Sequence, residues 1–275
     1  MDGTYTSGPV KGGVPGLLSL DSDLAEELDG VGERIDIPSK PGFNTGGPFL
    51  QKSVEAWFTP SDVTSKQVIY EQGGGSRGLN IYLRDGQLFV GGWNVNNDSA
   101  DTSPWDTTLG SNSGLYVSTS VTAGETYHVV LVMEGDSSGT NGTLRGYLNG
   151  VEFGAVTGVG ELFTHGATGA LGGSNGTRFD DESGDSSVSG FFFQGVLDEV
   201  AVYNTALSTP LVESRFSSGY GLLVNDTDAD GDNLLVSSFD TTSTLGGTVN
   251  VNVDGSFSYD PTTSATLDAM GDGQT

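Results

Sequence analysis

The 275-residue sequence predicts an all-β protein built as a two-sheet antiparallel sandwich. Short runs that alternate apolar and polar residues recur along most of the chain, bounded by Gly, Asn, Asp or Ser. Two of the junctions, Asp85-Gly86 and Asn149-Gly150, are residue pairs that favour positive φ in a two-residue hairpin turn, so the runs they join are antiparallel neighbours. Glycine contributes 44 residues against 9 prolines, without a three-residue period. That places glycine in turns and close backbone contacts and excludes collagen and proline-rich linkers.

In chain order, Arg34–Ile37 and Ser53–Phe58 read as the first strands, followed by Lys66–Glu71. Leu79–Leu83 and Gln87–Trp93 flank the Asp85-Gly86 turn and form a hairpin. Tyr127–Met133 is a continuous apolar run, and Thr143–Leu148 pairs through Asn149-Gly150 with Val151–Phe153. Gly190–Tyr203 closes the series. Helical signal is confined to Ala206–Phe216, where Thr209 is an expected N-cap, Pro210 stands at the first helical position, and Leu211, Val212 and Phe216 form the apolar side. After Gly219 the character changes. Val249, Val251 and Val253 alternate with polar residues, Asp254-Gly255 makes a turn, and Phe257 and Tyr259 return on one face. The expected organisation is a sandwich over residues 1–220 and a small partial β-sandwich repeat over residues 221–275, the latter short for an independent core.

Thirty-six acidic residues against ten basic ones give a formal charge of −26, which repels nucleic acid and anionic membranes. The same excess suits Ca²⁺, which takes six to eight oxygen ligands, or simply a saline habitat. The absence of cysteine removes disulfides, zinc–thiolate sites and thiol chemistry, and His128 and His165 lie too far apart in sequence to announce a metal site or triad. No stretch approaches the roughly 18 apolar residues of a membrane span.

Five segments in order resemble the laminin-G-like, concanavalin A-like jelly-roll domains of bacterial surface proteins. They are Leu28–Pro38, Val54–Pro60, Tyr127–Val132, Leu144–Val151 and Phe193–Ser208. The tail from Leu222 resembles the beginning of cadherin-like repeats of large bacterial adhesins. The resemblance implies a calcium-binding, non-catalytic module of an extracellular or cell-surface protein, whose partners are a glycan or cell-surface ligand and neighbouring repeats. The alternative is a structural spacer, or a fibre subunit completed by strand addition without glycan affinity. The jelly roll also hosts β-glucanases, but the Glu-x-Asp-x-x-Glu strand pattern of their carboxylate pair does not occur here, nor does a Gly-x-Ser-x-Gly elbow.

Three regions hold candidate site residues. Asp198 interrupts a strand pattern beside Glu199. The resemblance implies that it ligates Ca²⁺ with main-chain oxygens of Asp29 and Gly30; the alternative is a carboxylate accepting backbone N–H groups at a bulge. Asp226, Asp228, Asp230 and Asp232 alternate around Gly231 like the start of an EF-hand loop, but the twelfth position is Ser237, so Ca²⁺ near a domain junction or a solvated acidic turn remain the two readings. Trp93, Asn94 and Trp105 form a prospective glycan-binding edge, in which rings stack on sugars and amides bond hydroxyls; the alternative is that the tryptophans are structural. Asn175, Arg178, Asp180 and Asp181 lie in a second long loop expected to form a ligand-binding rim or to be simply acidic.

Overall fold

The computed structural model describes residues 4–6, 13–18, 23–94, 105, 114–137, 141–166, 168–181, 190–223, 234–253, 255 and 257–270. Its strands begin with β1 (Thr4–Thr6), β2 (Val14–Pro15), β3 (Leu24–Asp29), β4 (Arg34–Ile37), β5 (Gln51–Pro60), β6 (Gln67–Gly73), β7 (Arg77–Arg84) and β8 (Gln87–Asn94). They continue with β9 (Leu115–Ser120), β10 (Tyr127–Glu134), β11 (Gly142–Leu148), β12 (Val151–Val159), β13 (Gly169–Leu171) and β14 (Gln194–Tyr203). Helix α1 (Thr209–Tyr220) follows, then β15 (Thr248–Val251), β16 (Phe257–Asp260), a 3₁₀ turn and α2 (Ala265–Asp268). The chain divides into two compact units, Met1–Leu17 with Leu24–Val212, and Leu18–Asp23 with Glu213–Thr275.

The first unit is a sandwich of two seven-stranded antiparallel sheets, as the sequence predicts. The first sheet runs β1-β4-β13-β6-β7-β8-β9 and the second β12-β11-β10-β5-β14-β3-β2. The hairpin turns form at the expected pairs, with φ of 51° and 75° at Asp85 and Gly86 and 51° and 80° at Asn149 and Gly150. Late strands return to early ones: β13 inserts between β4 and β6, and β14 between β5 and β3. The interior between the sheets includes Val54, Ala56 and Phe58 of β5, Ile69 of β6, Leu79 and Ile81 of β7, Val90 of β8, and Val129 and Leu131 of β10. Alternation along the strands sends every second residue there, except at the β6 irregularity, where Ile69 and Tyr70 both join the core.

Helix α1 departs from expectation at its start. The Ser208 carbonyl accepts from the Leu211 and Val212 N–H groups at 2.9 and 3.0 Å, so Thr209 lies inside the first turn. Its hydroxyl instead meets Tyr147 Oη at 3.0 Å. Val212 is buried with Val130, Val132, Tyr147 and Leu207.

In the second unit β15 and β16 pair with Val249 opposite Tyr259 and Val251 opposite Phe257, the hairpin that the alternation predicts. Asp254, the first residue of its turn, lies outside the described residues. Among the described residues every buried hydrophobic side chain belongs to the first unit, whereas Leu235 and Val253 of the second are 64% and 60% exposed.

Candidate functional site

Of the sites named from sequence, the three-residue calcium site does not assemble. Asp29 lies opposite Gln194 in the β3–β14 register. Asp198 is four residues further along β14, about 13 Å away at the rise of a strand. Its carboxylate is also already engaged: Oδ2 accepts the Leu17 N–H at 2.7 Å and Oδ1 the Glu199 N–H at 3.0 Å. The ladder to β5 is irregular between Asp198 and Ala201, and Glu199 has φ of 45°. This is a bulge that turns backbone donors onto a buried carboxylate. Asp29 Oδ1 likewise accepts the Val31 N–H at 2.8 Å around Gly30, an Asx turn. Asp29 and Asp198 therefore do not share a cation; the carboxylate that comes near Asp198 is that of Glu199, with oxygens within 4.8 Å of one another. Asp226, Asp228, Asp230 and Asp232 lie outside the described residues.

The prospective glycan edge is also corrected. Trp93 and Trp105 are 1% and 3% exposed, so neither ring has a face open to a sugar. Trp93 Nε1 donates to the Gly74 carbonyl at 2.7 Å, and its ring occupies the space that a side chain at Gly78 would fill. Trp105 belongs to the main core, with Nε1 donating to the Glu161 carbonyl at 3.2 Å. Asn94, at the end of β8, is buried too. Burial of these apolar rings outweighs the polar company they keep in sequence.

The fourth group does assemble. Residues 172–181 lie across the outer face of the first sheet and tie to it at successive rows. One row runs Asp36, Ala170, Glu71, Asn80, Gly91 and Tyr116 through six paired strands, from β4 to β9 by way of β13, β6, β7 and β8. A side chain at Gly91 would run into the Tyr116 ring. Over this row, Asn175 N–H donates to Glu71 Oε1 at 3.1 Å, and its side chain meets Arg34, Asp36 and Thr168. Asn80 donates to Thr177 Oγ1 and to the Arg178 carbonyl, and Tyr116 Oη donates to that same carbonyl at 2.9 Å. Arg178 Nε donates to the Gly75 carbonyl.

The next row is aromatic. Tyr82 stacks on Phe89 with centroids 4.7 Å apart, and Phe179 of the covering segment meets Tyr82 edge-on at 4.8 Å and Phe191 at 4.9 Å. Beyond the rings lies a charged rim. Arg84 Nη1 stands 2.8 Å from Asp180 Oδ1 and 2.6 Å from Asp181 Oδ2, while Lys66 Nζ stands 3.0 Å from Asp181 Oδ1. Tyr82 donates its hydroxyl to Asp180; burial, and then that bond, push the phenol far above its ordinary value, so it remains a donor. Lys66 also sits 4.3 Å over the Phe179 ring and Arg84 4.8 Å over Phe89. The Asp180 and Asp181 side chains are 29% and 43% exposed, against 15% for Lys66. The rim therefore offers carboxylate oxygens outward while its cations hold them in place.

Sequence reasoning names the loop half of this site and misses the sheet half: Lys66, Glu71, Asn80, Tyr82 and Arg84. The parity of β7 carries a signal, since Asn80, Tyr82 and Arg84 alternate with apolar Leu79, Ile81 and Leu83.

The sequence pattern of the concanavalin A-like lectin/glucanases superfamily matches residues 29–213. The chain belongs to that superfamily. A bacterial Ig domain pattern matches residues 199–271, an Ig-like repeat where the sequence predicts a repeat. No curated protein matches. Among solved structures, the receptor binding domain of botulinum neurotoxin D is similar at 10% identity and a TM-score of 0.52, over 78% of this chain and 48% of that one. Domain 4 of a GH43 extracellular arabinanase from Geobacillus stearothermophilus, solved with arabinotriose, is similar at 20% identity and 0.47, over 77% and 86%. The CBM40 of a Ruminococcus gnavus sialidase, bound to sialyllactose, gives 16% and 0.48, over 69% and 95%. At these identities the likeness is one of fold. The superfamily is described by both lectins and glucanases, so membership alone does not choose between binding and catalysis.

Proposed function

We propose that the first unit is a non-catalytic carbohydrate-binding module of an extracellular or surface protein, and that its ligand engages the rim formed by Lys66, Arg84, Asp180 and Asp181. The observation that carries this reading is the preorganised, part-exposed set of carboxylates at the edge of a rigid sheet, each held by a cation and flanked by aromatic rings. Such oxygens accept hydrogen bonds from sugar hydroxyls without first paying the entropy of being ordered. Membership in a lectin-containing superfamily supports it. Both acids of the rim are engaged with cations, and the sequence carries no glucanase strand motif, which supports binding over hydrolysis. A glycan array probed with the parent chain and with Asp181→Asn is the test: binding by the parent that weakens in the variant is expected, and a blank array for the parent overturns the reading.

Burial of Trp93 and Trp105 favours the second reading, a spacer without glycan affinity, because it removes the stacking platform. Calcium is proposed for Asp226, Asp228, Asp230 and Asp232 and not for Asp198. A melting midpoint raised by Ca²⁺ and lowered by EDTA is expected, with the response lost when these four aspartates become asparagine and kept in Asp198→Asn.

A further inference from the structure

Beneath the covering segment two oxygens stand without a partner. Glu71 and Asn80 lie directly opposite one another on β6 and β7, and both are 0% exposed. Opposed residues of an antiparallel pair have Cβ atoms about 4.5–5.5 Å apart, so their side chains are neighbours. Glu71 Oε1 accepts the Asn175 N–H, but Oε2 has no hydrogen-bond partner. The Asn80 amide is fixed in orientation, because Nδ2 donates to the Arg178 carbonyl at 2.6 Å and to Thr177 Oγ1 at 2.9 Å; flipped, it would set oxygen against the carbonyl. Asn80 Oδ1 is accordingly left unpaired.

Two buried, unpaired acceptors on directly opposed, neighbouring side chains are costly unless a donor reaches them. One hydrogen resolves both. We propose that Glu71 is held as the neutral carboxylic acid at neutral pH, donating its O–H to Asn80 Oδ1, and that this proton latches residues 174–178 over the outer face of the first sheet. A bridging water would satisfy the oxygens but leave a buried charge uncompensated.

The charged groups around Glu71 do not supply the compensation. On the far side of β13, Arg34 of β4 is bonded to Asp36 at 2.7 Å and to Ser174 and Asn175, so it and Asp36 largely cancel. Tyr70, next on the same strand, donates to Gln72 Oε1. Arg178 of the covering segment is directed to Gly75, and Tyr116 to Arg178. Burial pushes the Glu71 carboxyl well above the ordinary carboxylate range, the Asn175 N–H and Arg34 opposing this and Asp36 adding to it. The unfolded chain releases this proton near pH 4 to 5 and the folded chain only at higher pH, so the latch weakens as pH rises through that window. Ionisation draws the carboxylate toward water, and the segment that must lift to admit water is 174–178.

Infrared spectroscopy of the whole chain in heavy water at pH 7 tests this. A protonated-carboxyl stretch that disappears in Glu71→Gln is expected; no such band in the parent overturns the proposal. Should Glu71→Gln fail to fold, the parent's band and its loss on raising pH decide the same question. Glu71→Gln keeps an N–H donor toward Asn80. Amide exchange at Asn175, Gly176 and Thr177 should therefore accelerate with pH beyond its intrinsic dependence in the parent, by up to about tenfold per pH unit between the titration points of the open and closed states and no further above the latter, and not in the variant. Equal pH dependence in the two also overturns the latch. A parent whose melting midpoint rises with added Na⁺ or Ca²⁺, in a manner lost in Glu71→Gln, would replace the proton by a cation.

Discussion

The inner face of the first sheet turns Ile69, Leu79, Ile81 and Val90 into a core shared with Val54, Ala56, Phe58, Val129 and Leu131 of the second sheet, whereas its outer face turns Glu71, Asn80, Tyr82 and Phe89 toward, among the described residues, 172–181 and Phe191. Both faces are shielded from water. The inner one is closed by a whole opposing sheet and cannot open without unfolding the unit. Among the described residues the outer one is closed by 172–181 and Phe191, tied through hydrogen bonds, two aromatic side chains and a few ion pairs, so it can open while the sandwich stays intact. Stability and the proposed ligand contact thereby fall on opposite sides of the same strands.

Truncations on the two sides should separate them. Trp105→Ala empties part of the inner core and should lower unfolding stability by about 3–5 kcal/mol, read as a shift of the whole denaturant transition. Phe179→Ala removes the ring that anchors the cover against Tyr82 and Phe191; its global loss should be smaller, about 2 kcal/mol, because the cover can detach or collapse. The informative signal there is faster amide exchange confined to residues 172–181. If Phe179→Ala instead moved the whole transition as far as Trp105→Ala, the outer face would be as obligatory as the inner one and the comparison would fail.

Acid sharpens the contrast further. His165 is buried beside the inner core, with Nδ1 3.0 Å from the Phe163 carbonyl and Nε2 3.3 Å from Gln72 Nε2, which requires the neutral ring with its proton on Nδ1. Burial lowers its pKa, the Phe163 bond opposing and Lys52 and Arg77 assisting. Below about pH 6.5 the unfolded chain binds a proton that the folded chain does not, so stability conferred by the neutral ring falls as pH drops through that value. Glu71 on the outer face has the opposite slope. Denaturant midpoints across pH 5 to 8 should therefore lose an acid-side decline in His165→Gln and a base-side decline in Glu71→Gln. The smallest effect is expected at the rim, where Asp181→Asn should change stability by less than about 1 kcal/mol, since the Asp181 carboxylate is itself open to water. A large destabilisation there would make the rim a structural clasp and weaken the case for a ligand.

Much of the scaffold is legible in the sequence, because period-two alternation and the Asp-Gly and Asn-Gly pairs act locally. Strands β3, β9 and β13 are not. β3 reads Leu-Ala-Glu-Glu-Leu-Asp, which has the residues of a helix and becomes a strand only by pairing with β14. Asp198 is legible as a buried carboxylate, and a bulge that satisfies it is one of the two readings its sequence allows; the partner N–H of Leu17 is not legible, lying 181 residues away. Trp93 and Trp105 take the structural one of their two readings, which the sequence leaves open because a run rich in Asn and Asp says nothing of which way the rings between them turn.

The sequence by itself determined an acidic, cysteine-free β-sandwich with its hairpins in place, since turn chemistry and side-chain alternation are properties of neighbouring residues. Only the tertiary structure decided that β13 would separate β4 from β6, that residues 172–181 would cover the outer face, and that Glu71 and Asn80 would meet there with an oxygen each unpaired. Those facts depend on which distant strands pair and in what register, and register is settled by burying one face of every strand at once.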